Sequence, residues 1–277
     1  MASLKAKKTN KKKKKTEWVM PTLSTCRSPP AKAPNSCHDL HDLVTIRVTQ
    51  GSQIREFLVI RPLLRWHSSY FRVALDPNGH FKESGAKVVE VEDDINAFAS
   101  MLCWINTGSL DDIAVDAADV TDVNDGGDEY SGDNNDNENE GGNSEKDEEG
   151  LMSLLLYKVW VLADKRGLPG LADATIDKLH ERLVSIWSLD TRSIVPYTVR
   201  NTNPESCLWN FLHDMLMRTK SSAGIAYHVD VHLHDFESSS FLMSILKLKL
   251  DRDGNEEWQN LSRLEWARED RCQWHQH

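Results

Sequence analysis

The histidines near residue 230 form the densest group of side chains that could bind a metal or transfer protons. His228, His232 and His234 follow one another at spacings of four and two, with Asp230 among them. On a β-strand, these three imidazoles would share one face. A zinc site, however, needs several ligands held by further hydrogen bonds, and no cysteine lies nearby. The pattern therefore favours ordinary surface or groove histidines, and we expect no metal site here.

A second candidate metal site is looser still, and no catalytic motif is visible. Cys26, Cys37, His38 and His41 lack the close Cys-x-x-Cys spacing of zinc sites. The sequence contains no Gly-x-Ser-x-Gly nucleophile motif, no phosphate-binding loop and no dinucleotide-binding glycine pattern. Cys103 falls in an apolar helical pattern, which is typical of an inert core thiol. We therefore expect neither an enzyme nor a bound cofactor.

Charge is distributed unevenly along the chain, although the net charge is −10. Residues 1–38 are rich in lysine and proline and are predicted to be a disordered basic arm. Its unbroken lysine run could be a nuclear import signal, a plain solvated tail or, less favoured, a nucleic-acid contact. The run consists of Lys11, Lys12, Lys13, Lys14 and Lys15.

Residues 111–150 form an acidic block with almost no large apolar side chains. Such a segment cannot bury enough surface to offset the entropy of ordering it, so we predict a disordered insertion. No membrane contact is expected, because no stretch approaches the roughly 18–20 apolar residues of a span. Five scattered cysteines do not suggest disulfides, so a reduced, intracellular protein is expected, with the nucleus slightly favoured over the cytoplasm by the lysine run.

The remaining sequence predicts mixed α and β structure. Alternating apolar residues predict strands over 43–48 and 57–60, joined by a turn at Gly51, and a third strand over 88–91. Apolar spacings of three and four predict helices over 63–75 and from 95 to a C-cap at Gly108. Two more helices are predicted within 151–187, and a helical extension within 188–250. Residues 251–277 form a tail. The sequence does not indicate where the tryptophans of this tail lie in the fold.

Several phrases in these elements resemble the BTB/POZ domain in its fungal form, over roughly residues 40–185. Asp42 stands where the family begins its first strand, Ser68 to Leu75 match its Ser-x-x-Phe-x-x-x-Leu helix, and 98–108 and 161–171 match later helices. The resemblance implies an α+β fold, a small mixed sheet capped by helices, built from residues 39–110 and 151–187. It also implies a role for the helix that carries His67, Ser68, Tyr70 and Phe71 in dimer contacts. Core packing is the favoured interpretation for Phe71.

Phe81 and Glu83 match the hydrophobic-x-Glu triplet of BTB proteins that recruit cullin ubiquitin-ligase scaffolds. Physically, a hydrophobic knob beside a carboxylate could fill a partner's pocket and fix its orientation. The same triplet is also common in the fungal group, where no ligase role is implied, and Phe81 could simply seal the sheet; a cullin contact is the less favoured interpretation.

The resemblance implies a protein-interaction module that acts as an adaptor or scaffold through partner binding or homodimer formation. A cullin scaffold is one candidate partner. The alternative is a nuclear transcription or chromatin regulator whose basic arm contacts nucleic acid while the BTB domain dimerises. In this alternative, nucleic acid is bound only through the arm.

Overall fold

The computed structural model describes residues 41–79, 83, 86–111, 143–252 and 260–276. Within 143–252, side chains are described only for residues 151–251. The predictions for the basic arm and its lysine run, for Phe81, and for nearly all of the acidic insertion therefore lie outside the described residues.

The first part of the described chain forms a three-stranded sheet. Its strands are β1 (Leu43–Gln50), β2 (Gln53–Ile60) and β3 (Val88–Glu92), in the order β2-β1-β3. β1 pairs antiparallel with β2 and parallel with β3. The alternation in β1 buries every second side chain, because successive residues point to opposite faces. The prediction of a mixed α+β fold is therefore confirmed in its coarse form, with helices in the majority.

The outer face of the sheet is not covered by any described residue of the chain. Leu58 is 69% exposed there and Val88 is 43% exposed. At the centre, Arg47 donates hydrogen bonds to Glu56 on one neighbouring strand and to Glu90 on the other. These are surface ion pairs, which contribute little to stability individually.

Two short helices follow the sheet hairpin, where a single helix over 63–75 was predicted. They are α1 (Arg61–His67) and α2 (Ser69–Ala74). Between them Ser68 has φ −118° and ψ 121°, an extended conformation that ends α1 and begins α2. The prediction of one continuous helix is wrong because Ser68 caps α2 with its side chain, a role that serine prefers to a helix interior.

Three longer helices come after the sheet. α3 (Ile95–Thr107) begins at the N-cap Asp94 and ends at Gly108, whose φ of 75° suits glycine. α4 (Asn143–Lys165) and α5 (Pro169–Ile186) follow. α3 packs on β1, α4 packs on α3, and α5 packs on α4. α4 begins inside the stretch predicted as insertion, so its helical backbone starts earlier than the predicted boundary at 150. Cys103 on α3 was predicted to be a core thiol, but its side chain is only half-buried.

The second half of the described chain is helical. It contains α6 (Thr191–Asn201), α7 (Cys207–Thr219), α8 (Ser222–Val231) and α9 (Phe236–Arg252). Their apolar residues join the same continuous core as the sheet and the helices α1 to α5. None of the helices in the described ranges is both long and apolar enough to cross a lipid bilayer.

The segment 260–276 packs back onto α5 and α7. It forms α10 (Arg263–Trp266) and a 3-10 helix (Arg271–Trp274). Trp266 and Trp274 are fully buried and lie beside His180 of α5, with ring centroids 5.5 and 6.1 Å from the imidazole. Burial under these rings lowers the pKa of His180 to about 4, because an apolar environment disfavours the imidazolium.

Candidate functional site

An open groove lies along α2, beside the turn that joins α4 to α5. We call it the α2 groove, and its volume is about 520 Å³. It brings together two of the residues singled out from the sequence, Tyr70 and Glu83. The full lining comprises Ser69, Tyr70, Arg72, Val73, Ala74, Glu83, Asp164, Lys165 and Gly167.

The α2 groove presents apolar surface next to charges of both signs. Val73 is 50% exposed and Tyr70 is 37% exposed, and their spacing of three places them on neighbouring positions of α2. Glu83 is half-buried at the groove and supplies a carboxylate. Tyrosine is among the residues that most often anchor protein interfaces, and a nearby charge helps to fix the orientation of a partner. The arrangement is therefore suited to binding a polypeptide.

Hydrogen bonds hold α2 rigidly against the α4–α5 turn. The Ser68 hydroxyl donates to the carbonyl oxygen of Arg166 at 2.6 Å and accepts from the backbone N–H of Phe71 at 3.0 Å. The backbone N–H of Ser69 donates to the carbonyl oxygen of Gly167 at 3.0 Å. These bonds satisfy polar groups at a buried helix start, which would otherwise be costly. The groove wall is thus positioned by the turn behind it.

Gly167 is required at this turn for two independent reasons. Its φ of 61° lies in the left-handed region that residues with a side chain rarely adopt. A Cβ atom built on Gly167 would also lie 2.0 Å from the Ser69 hydroxyl oxygen. A larger residue here would therefore have to displace the Ser69 hydroxyl as well as adopt the left-handed backbone.

We expect Gly167→Ala to lower the free energy of unfolding by about 1–3 kcal/mol, as backbone strain at such positions does. Urea unfolding of the full chain would measure this loss. Combining Gly167→Ala with Ser69→Ala, which removes the clashing hydroxyl, should recover part of the loss and leave the backbone strain. Equal losses in the single and double variants would contradict a contact between these two residues.

A buried ion pair lies directly behind the α2 groove. The Arg166 guanidinium donates from Nε and Nη2 to Oδ2 of Asp93 at 2.9 and 2.6 Å. Both side chains are nearly inaccessible, with exposures of 7% and 2%. Lys165 Nζ adds a bond of 2.8 Å to Oδ1 of Asp93. The pair connects the β3–α3 junction to the α4–α5 turn.

The same guanidinium supports a residue of the groove. Its central carbon lies 4.5 Å from the centroid of the Tyr70 ring, a cation–π arrangement. Tyr70 is thereby held with one face on Arg166, although more than a third of it is exposed. An aromatic side chain that is already ordered loses little entropy when a partner covers it.

Among the described residues, the others singled out from the sequence do not line the groove. Asp42 pairs with the Arg61 guanidinium at 3.0 Å, and its backbone carbonyl accepts from Arg61 N–H, so it fastens α1 to the start of β1. Phe71 is fully buried in the core. His67 is half-buried against Trp104, at 5.2 Å between ring centroids. Burial lowers the pKa of His67.

The histidines near residue 230 do not lie on a strand, so their proposed common face is absent. His228 belongs to the last turn of α8, and His232 is its C-cap. His232 is buried, whereas His234 is exposed in the turn before α9. Over the described ranges, no three His, Cys, Asp or Glu side chains are grouped in a way that could hold a metal ion.

Little in the sequence indicates that Asp93 and Arg166 are partners. In the sequence, Asp93 is recognisable only as an acidic residue before a helix. Arg166 is recognisable only as one residue of a helix end. Their sequence separation of 73 hides the pairing, and no local pattern marks it. Comparisons with known proteins add nothing to this geometry: no protein-family model, curated protein or solved structure matches the chain.

Proposed function

We propose that this chain is a non-enzymatic protein-interaction module of the BTB/POZ type, which acts as an adaptor or scaffold. The observation that carries the proposal is the α2 groove, where exposed Tyr70 and Val73 lie beside Glu83 on a rigid support. Its partner is a protein: either a cullin-type scaffold or a second copy of this chain.

The order of elements supports the BTB/POZ part of the proposal. A β-hairpin is followed by two short helices, a third strand parallel to the first, and then α3, α4 and α5. The phrases that resemble the family fall on these elements: Ser68 to Leu75 on α2 and its caps, and 98–108 on α3. Fold similarity by itself does not fix a function, so the partner has to be argued from the groove.

The chemistry of the groove favours a partner with an apolar side chain and a neighbouring cation. Tyr70 and Val73 would bury apolar surface, at roughly 25 cal/mol per Å² removed from water. Glu83 would pair with the cation, which gives orientation more than affinity. Nine residues line the groove, whereas a standard interface involves about 20–30 residues on each side, so the partner must extend beyond it.

The test is binding of the full chain to a cullin N-terminal domain by calorimetry, with light scattering to measure its own mass. Tyr70→Ala should weaken the relevant association by roughly tenfold or more, the effect of removing an interface anchor. Glu83→Ala should weaken it less, because the charge pair contributes orientation more than affinity. Tyr227→Ala is the matched control, because Tyr227 is an exposed tyrosine on α8, distant in sequence and outside the groove lining.

The two partner classes give distinct results. Cullin binding that Tyr70→Ala abolishes and Glu83→Ala weakens identifies a ligase adaptor. A dimer that dissociates in the same variants, without cullin binding, identifies a self-associating scaffold. A monomer that does not bind the cullin domain, or an association equally sensitive to Tyr227→Ala, would refute the proposal for this groove.

A further inference from the structure

The outer face of the sheet carries apolar side chains on its first two rows of paired residues. The first row contains Leu43 and Ile60, and the second contains Leu58 and Val88 on either side of Thr45. Leu43, Leu58 and Val88 are 40%, 69% and 43% exposed. A sheet face that meets water normally carries polar side chains, which alternate with the apolar side chains of the buried face. These two rows therefore have the composition of a covered face, although the described part of the chain leaves three of their side chains exposed.

The next two rows of the same face are acidic. The third row is Glu56, Arg47 and Glu90, and the fourth carries Ile54 and Glu92 at its edges. Arg47 donates to both of its neighbours, yet their side chains remain 52% and 70% exposed. Three carboxylates share this half of the face with one guanidinium. An apolar half and a negatively charged half thus lie side by side on the sheet.

The arm that precedes β1 has the complementary composition. Residues 1–40 lie outside the described residues, and the described chain begins at His41, next to the first apolar row. In the sequence, the lysine run at 11–15 is followed closely by four large apolar residues, Trp18, Val19, Met20 and Leu23. A basic part and an apolar part are therefore adjacent in the arm, as an acidic part and an apolar part are on the sheet.

The distance between the two parts also matches. Along a strand, side chains on one face recur every second residue, so the centres of the apolar and acidic halves lie about 13 Å apart, which is about four residues of β1. In an extended segment, four residues span about the same distance. Trp18 stands four residues after Lys14. The arm can therefore place both of its parts over their counterparts at once.

We propose that residues 11–23 of the chain's own arm dock on the outer face of the sheet. Residues 18–23 cover the apolar rows, and the lysine run lies over the acidic rows. Burial of apolar surface supplies the affinity, and charge pairs with the glutamates fix the orientation. A partner that takes the lysine run must displace the arm, which uncovers the apolar rows.

The connection to β1 permits this docking. Residues 24–40 can extend over roughly 55 Å. The eight-residue strand β1 is only about 26 Å long, so the segment reaches any row of the face without strain. The tether also keeps the segment near the face at an effective concentration of about millimolar, so that a weak contact suffices.

The acidic block at 111–150 is the main competitor for the lysine run, because it carries more carboxylates than the outer face does. It offers almost no large apolar side chains to residues 18–23, however. Lys165 bonds the carbonyl oxygen of Glu92, but its charge is paired with Asp93, so it does not cancel the acidic rows. The outer face combines an apolar and an acidic half, and we therefore place the arm there.

Hydroxyl-radical footprinting of the full chain tests whether the face is covered. Leu58 and Leu233 are a matched pair, because they are 69% and 68% exposed and only Leu58 lies on the sheet. A bare face predicts equal labelling of the two leucines, measured by mass spectrometry. A docked arm should lower the labelling of Leu58 roughly threefold or more relative to Leu233, in proportion to the accessible area that it covers.

Substitutions in the arm identify the covering segment. In the full chain, Trp18→Ser combined with Met20→Ser should raise the labelling of Leu58 to that of Leu233. Thr22→Ser in the same segment is the matched control, and it should leave Leu58 protected.

Cross-linking locates the lysine run. A carbodiimide, which joins amines to carboxylates in contact, should link the lysine run to Glu56, Glu90 or Glu92 within the monomer. These links should decrease as NaCl is raised from about 0.1 M to about 1 M, because the Debye length then falls from about 10 Å to about 3 Å.

The proposal fails if Leu58 and Leu233 are labelled equally in the native chain, or if the protection of Leu58 survives the double substitution. Protection that is lost on dilution together with a dimer would assign the cover to a second copy and overturn the proposal as well. Cross-links that join the lysine run mainly to the acidic block would equally contradict it.

Discussion

Phe71→Ala is expected to lower the free energy of unfolding by about 3–5 kcal/mol, as deletion of a buried aromatic ring does. Phe71 is fully buried, and its ring meets Tyr70 edge-on at 4.9 Å between centroids. The short helix that carries it has little stability of its own, because most helical stability comes from packing of the buried face. The loss would be measured by urea unfolding of the full chain at neutral pH.

The matched control for Phe71→Ala is Val73→Ala, two residues further along the same helix. Val73 is 50% exposed, so its truncation should change the free energy of unfolding by no more than about 0.5 kcal/mol. A near-neutral Phe71→Ala would place its ring on an exposed surface and contradict the packing of α2 described above.

The second large effect is expected from Asp93→Asn, which removes one charge and keeps the shape. Its partner Arg166 would then be a buried cation with no carboxylate, and such losses cost about 3–5 kcal/mol. Lys165 would also lose its partner, but it is 53% exposed and can be solvated. Because Arg166 also supports Tyr70, binding at the α2 groove should weaken together with stability.

Glu90→Gln is a matched control for Asp93→Asn, because it also neutralises one carboxylate that accepts from an arginine. Glu90 pairs with Arg47 on the outer face of the sheet, where its side chain is 70% exposed. Exposed pairs contribute about 0–1 kcal/mol, so the loss should be small. Similar losses in the two variants, measured by urea unfolding, would show that Arg166 is solvated and not held by Asp93.

Much of the sheet and of α3 could be predicted because the signals are local. The alternation of Val44, Ile46 and Val48 identifies the buried face of β1, and Gly108 identifies the end of α3. Ser68 shows where such signals fail. The apolar spacing continues across it, so the pattern predicts one helix, but its hydroxyl bonds the carbonyl oxygen of a residue 98 positions away.

The burial of the two tail tryptophans and the support beneath Tyr70 depend on long-range contacts, which no local sequence pattern predicts. Trp266 and Trp274 have no obvious periodicity, although Ser262 and Glu265 form a capping box that marks the start of α10. For the candidate site, the resemblance singled out Glu83 and Tyr70, both of which line the groove. The support beneath Tyr70 was not predictable, because Asp93 and Arg166 meet only in the folded chain.

The packing of segment 260–276 has a consequence for the order of folding. His180 Nε2 bonds the carbonyl oxygen of Trp266 across a sequence separation of 86, and Arg271 lies 3.0 Å from Asp177. Contacts that close long loops bear their entropic cost before any packing compensates for it, so they tend to form late. The surface of α5 and α7 that receives the two tryptophans would thus remain exposed to water until this loop closes. Because the chain has nine tryptophans, the lag concerns only the part of the indole fluorescence shift that Trp266→Phe and Trp274→Phe remove. In a refolding experiment, this part would follow the recovery of helical circular dichroism.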